Sequence, residues 1–245
     1  DHRDLHSFPT RRSSDLEYAI PEGWAIFAAG NRQGDRGVTY AMPAPLANRF
    51  THYDVDANLD DWVAWALDKG IDERILGFLR FRPDLLFSFD PAHNPVAFPS
   101  PRSWEYAHRA LFKFSDRPDL LGDALQACVG QGVGVELKAF IDNMENLPDI
   151  DGILSGTVAE VPKGIDLQYG VAAALVRRAR ESANDAYKLG NILKYARGYP
   201  QREMGVMLVT DLHRAVGKPL FAVPEFVEWA NSVAELMLYD FKPNA

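Results

Sequence analysis

The chain has 245 residues, a formal net charge of −8 and ordinary apolar and charged fractions, so it reads as soluble, globular protein with enough core formers to exclude disorder. The acidic balance removes any diffuse electrostatic case for binding nucleic acid or an anionic membrane. The single cysteine, Cys128, excludes an internal disulfide framework, and no apolar run reaches the roughly 18 to 20 residues of a membrane span, so a cytoplasmic location is expected.

Residues 1–16, DHRDLHSFPTRRSSDL, have neither helical nor strand periodicity, and the character of the chain changes abruptly at Glu17. This stretch resembles the in-frame translation of a widely used sequencing adapter, so it is expected to be an artefactual disordered tail and is set aside from fold reasoning. On that reading the natural sequence starts near Glu17, in the middle of a domain.

From Glu17 the elements run as follows. Trp24 to Ala28 is a short apolar run between turn residues and is predicted to be a buried strand. A polar loop from Arg32 to Tyr40 follows, then a short helix that Pro43 starts, then a second candidate strand at 51–55. Leu59, Trp62, Val63, Ala66 and Leu67 fall on one helical face, with Asn58 as cap and Gly70 past the end. Ile71, Ile75, Phe78 and Leu79 repeat the pattern up to Pro83. The proline-rich stretch 84–99 is predicted to be irregular. Ser100 and Pro101 then mark the start of a helix that buries Trp104, Ala107, His108, Leu111 and Phe114. Further helices are expected near 119–128, 133–145, 167–183, 184–197, 201–215 and 224–238, with no repeat at a fixed period.

Three side chains stand where chemistry is possible, and each has a plainer alternative. Asn31 follows the first predicted strand, where an amide can orient a water or a phosphate oxygen, although Gly30-Asn31 also suits a simple turn. Arg49 lies on a corner from which a guanidinium can reach a phosphoryl group on a neighbouring subunit, or it is merely solvated. Arg102 sits in the first turn of a helix, where a cation opposes the macrodipole; it either marks an anion site or pairs with a local carboxylate.

Taken together, AAGNR at 28–32, MPAPLANRF at 42–50 and FPSPRSWE at 98–105 resemble, in order and spacing, the MoxR-type AAA+ ATPases. LDDWVAWALDKGI and ILGFLRFRPDLLFSFDP between them look similar to the same family. The resemblance is strong from about Tyr18 to Leu111 and weaker through the following helices to about Ala230. It implies that Asn31 is the sensor-1 residue, Arg49 the arginine finger acting on the next subunit's ATP, and Arg102 the sensor-2 arginine. Arg32 and Arg36 would then lie near a subunit boundary, unless that loop is simply solvated. It further implies a mainly α chain with a remnant of an α/β parallel sheet: a truncated AAA+ core at 17–56, a helical lid at 57–115 and a helical C-terminal extension at 116–245. In the complete protein it implies ATP with Mg, a homo-oligomeric ring and a possible partner with a von Willebrand A-type domain.

The ATP cradle itself is not among these residues. A P-loop needs Gly-x4-Gly-Lys-Ser/Thr, and the only Gly-Lys pair, Gly217-Lys218, is followed by Pro219. The only Asp-Glu pair, Asp72-Glu73, is at a predicted helix start, and the VMLVTD run at 206–211 lies in a helical pattern. Both missing elements precede sensor 1 in the family, so they are expected upstream of Glu17, and residues 17–245 alone are expected to be inactive. Apart from His2 and His6 in the adapter-like stretch, the histidines show no metal-ligand spacing. The glycines at 130–134 suit a helix-ending turn better than a dinucleotide fingerprint. The alternative to an ATPase portion is a helical protein-interaction module carrying an idle ATPase remnant.

Overall fold

The computed structural model describes residues 23–30, 42–90 and 96–240, with side chains described as far as residue 234. The chain divides into two units, one up to Asp56 and one from Ala57 onward.

In the first unit the described residues contain one short helix, α1 (Ala44–Ala47), preceded by Pro43. The turn after it is closed by the Arg49 and Phe50 amides, which donate to the Leu46 and Ala47 carbonyls at 3.0 and 3.1 Å. The expected strands at 24–28 and 51–55 are not formed: neither segment has strand structure among the described residues. The reason is that a strand is a property of a ladder, not of a residue run. Where no ladder forms, apolar side chains have no sheet face to bury. Trp24, Phe27, Tyr53 and Val55 accordingly stand 75 %, 93 %, 83 % and 84 % exposed.

All regular secondary structure among the described residues of the second unit is helical. Its first helices are α2 (Leu59–Lys69) and α3 (Glu73–Phe81), followed by α4 (Pro101–Lys113), α5 (Pro118–Val129) and α6 (Gln131–Asn143). After these come the short α7 (Ile150–Leu154), then α8 (Ile165–Glu181), α9 (Ala186–Arg197), α10 (Arg202–Val216) and α11 (Pro224–Asp240). The stretches read from the sequence as a lid (57–115) and a C-terminal region (116–245) share one continuous apolar core.

Local signals account for the helix ends. Asn58 Oδ1 accepts from the Asp61 amide at 3.0 Å at the start of α2, and Gly70 closes that helix in the left-handed conformation. Asp72 caps α3 through the Arg74 amide. Gly130 ends α5 at a positive φ of 92°, and α6 begins one residue later, so Gly130 is the helix-to-helix corner and 131–134 form the first turn of α6. Gly134 lets α6 lie directly on α5, since a Cβ there would fall 2.5 Å from the Gln126 Cα. Gly205 does the same for α10 on α9, where a Cβ would meet the Ala196 carbonyl oxygen at 2.4 Å.

At the centre, α3 packs along α8 and touches α4 and α6. Phe78 lies 5.7 Å from the Trp104 ring and 5.6 Å, edge-on, from Phe140. These rings tie the N-terminal helices of the unit to the later ones, and Trp104 is fully buried between them. No helix among the described residues is long and apolar enough to cross a membrane.

Candidate functional site

The start of α4 is the best-defined polar feature that the sequence singled out. Ser100 and Ser103 cap it reciprocally: the Ser103 amide donates to Ser100 Oγ at 3.2 Å, and the Ser100 amide donates to Ser103 Oγ at 2.7 Å. Indole N–H groups fix the surrounding backbone. Trp62 Nε1 donates to the Pro101 carbonyl at 3.3 Å, and Trp104 Nε1 donates to the Leu85 carbonyl at 3.0 Å. The Ser88 amide donates to the Pro99 carbonyl at 3.1 Å, closing the base of the preceding loop.

Arg102 projects from this braced turn. Its side chain is exposed and makes no hydrogen bond or ion pair among the described residues. The local-carboxylate alternative therefore finds no partner there, since Glu105 pairs instead with Arg109 at 2.5 Å. The capping also limits what the helix end offers an anion. Pro101 has no N–H, the Ser103 N–H is taken by Ser100, and the Trp104 N–H bonds to the Ser100 carbonyl at 3.1 Å. Only Arg102 itself, through its own amide and its guanidinium, is left to donate, so any anion here is a side-chain contact rather than a bed of backbone amides.

Arg49 belongs to the first unit, in the turn after α1, where its side chain is exposed and has no hydrogen-bond or ion-pair partner among the described residues. Asn31 lies outside the described residues, as do Arg32 and Arg36.

Sequence reasoning missed the main buried electrostatic feature, which links α2, α3 and α10. Arg80 Nε and Nη2 donate to the two Asp211 oxygens at 2.9 and 2.6 Å, and its Nη1 donates to Asp60 Oδ1 at 2.9 Å. Arg214 Nη1 bridges the same two carboxylates at 3.0 and 3.1 Å. Burial opposes the charge on Asp60, but hydrogen bonds from Arg214 and Arg80 outweigh it and hold the carboxyl below its usual range. Burial likewise opposes the Arg80 charge, and the Asp211 hydrogen bonds outweigh that and push its pKa up. The cavity beside Arg80 and Asp211 is only about 20 Å³ and is otherwise walled by apolar side chains. It is too small for a ligand, so the cluster is a structural clasp.

Two other groups resemble catalytic groups only superficially. Asp72 is buried and receives both Nε and Nη2 of Arg74 at 2.8 Å, while its amide donates to His108 Nδ1 at 3.1 Å. Burial raises the Cys128 thiol above its ordinary value, the opposite of what an active nucleophile requires. Among the described residues no group of His, Cys, Asp and Glu could hold a metal ion.

No family model matches the chain, and neither a curated protein nor a solved structure matches it.

Proposed function

We propose that this chain is the sensor and lid portion of a ring-forming, MoxR-type AAA+ ATPase that remodels a protein partner. The reading rests on the ordered set AAGNR, MPAPLANRF and FPSPRSWE. The observation that carries it furthest is Arg102, an exposed guanidinium without a protein partner among the described residues, held on a doubly capped and indole-braced helix start. A cation opposing the helix dipole costs about 0.3–1 kcal/mol unless an anion compensates it, and a nucleotide phosphate is such an anion.

In this reading Asn31 orients the attacking water, and Arg102 holds a phosphate of the ATP bound within the same subunit. Arg49 neutralises charge on the phosphoryl group of the adjacent subunit. The reading requires a P-loop and acidic Mg-holding residues that residues 17–245 do not contain, and a von Willebrand A-type protein is one candidate partner class. Residues 17–245 by themselves lack the amide cradle and its lysine, so their affinity for ATP is expected to be negligible.

The test is the complete gene product. Arg49→Ala should lower the ATPase kcat by roughly 10³-fold or more with ATP binding retained. Arg102→Ala should weaken nucleotide binding. Upstream sequence without a P-loop, micromolar ATP binding by residues 17–245, or an unchanged kcat for Arg49→Ala would each overturn the reading.

A further inference from the structure

Away from α4, the end of α9, the start of α10 and the middle of α11 enclose a cleft of about 240 Å³. Arg197, Tyr199, Arg202, Trp229 and Ser232 supply its polar lining, and no carboxylate is among its lining residues. Arg202 is exposed and has no hydrogen-bond or ion-pair partner among the described residues, and α10 opens at this residue without a side-chain cap. Arg197 uses Nη1 to hold Glu228 at 2.9 Å, which leaves the rest of its guanidinium without a partner among the described residues. The Tyr199 hydroxyl is already committed, donating to the Gln168 carbonyl at 3.2 Å, so it does not compete for a ligand. Trp229 is 2 % exposed, and its Nε1 is a buried donor with no acceptor.

The lining is thus an excess of donors and positive charge facing a space below the roughly 300–1,000 Å³ of sites for drug-sized ligands. Arginine forks match the oxygen spacing of phosphates and carboxylates, and a cleft with two of them favours a small anion over a neutral molecule. We infer that this cleft binds a small oxyanion of phosphate size, with Arg202 as its principal contact and Arg197 as the second. The inference is independent of the ATPase reading, because none of Asn31, Arg49 and Arg102 contributes to the cleft.

The test is calorimetric titration of the intact chain with inorganic phosphate, with sodium chloride of equal ionic strength as the control and acetate as a second arm. Saturable phosphate binding is expected in the wild type. At ten times Kd it should raise the Tm by roughly 3–6 °C, the effect of an 11-fold shift in the folding equilibrium on a unit of this size. Arg202→Gln should lower phosphate affinity at least tenfold with the ligand-free Tm unchanged, since that side chain is exposed, and Arg197→Gln should lower it less. Tighter binding of acetate than of phosphate would assign the cleft to carboxylates within the same oxyanion class. A chloride response equal to that of phosphate would overturn the inference, and so would undiminished phosphate affinity in Arg202→Gln.

Discussion

Replacing Arg80 by methionine keeps most of the aliphatic bulk and removes three hydrogen bonds, two to Asp211 and one to Asp60. The two carboxylates differ in what they lose. Asp211 is 10 % exposed and cannot exchange its lost partner for water, whereas Asp60 is 58 % exposed and can. Breaking a buried pair from one side costs about 3–5 kcal/mol, and an exposed pair is worth about 0–1. Arg214 remains 3.1 Å from Asp211 and offsets part of the loss, which places the expected cost near the lower end, about 3 kcal/mol. Urea unfolding followed by far-ultraviolet circular dichroism should show this as a lower midpoint with an unchanged slope. Adding Asp211→Leu should recover part of the loss, because an apolar pair no longer strands a buried charge. A single-mutant cost under about 1 kcal/mol, or a double mutant no more stable than Arg80→Met, would refute the claim that this clasp is buried and coupled.

Three further outcomes follow from the geometry. Gly205→Ala should destabilise the helical unit by about 1–3 kcal/mol, since its Cβ would sit 2.4 Å from the Ala196 carbonyl oxygen; a thermal melt like that of the wild type would show that α9 and α10 are not so close. Ser100→Ala should cost about 1 kcal/mol by uncapping the Ser103 amide, read as a fall of roughly 2–4 °C in Tm, and Ser100→Asp should restore it. Asp72 is buried; burial opposes its charge, but the Arg74 hydrogen bonds outweigh this and hold its carboxyl below the usual range. A depressed carboxylate stabilises the fold above its unfolded pKa of about 4 and loses that contribution as pH falls through the folded value. Stability should therefore be level from about pH 8 to pH 5 and fall below about pH 4, with a shallower fall in Asp72→Asn; equal acid slopes in mutant and wild type would exclude Asp72 as a source.

How much of this was legible in the sequence depends on how local each feature is. The long helices were readable because Trp62, Val63, Ala66 and Leu67, or Ile75, Phe78 and Leu79, repeat at the helical period and are buried as that period requires. Ser100-Pro101 announced α4 for the same reason, since capping is decided within one turn. The reciprocal partner was less visible, because Ser103 stands where glutamate or glutamine would be expected. The five-residue α7 was missed because it is shorter than two helical turns and contains Gly152. The Arg80–Asp211 pair spans 131 residues, and no pattern along the chain could connect them. The misread strands are the more instructive case. Trp24 to Ala28 has the composition of a buried strand, but composition states only what a residue run would do beside a partner strand. In α10 the VMLVTD run is equally strand-like in composition, yet it forms helix because α8 and α9 provide a face for Leu208, Val209 and Leu212 to bury against. The same apolar content becomes helix where a neighbouring surface rewards that period, and adopts no regular structure at 24–28, so the neighbour decides between the two outcomes.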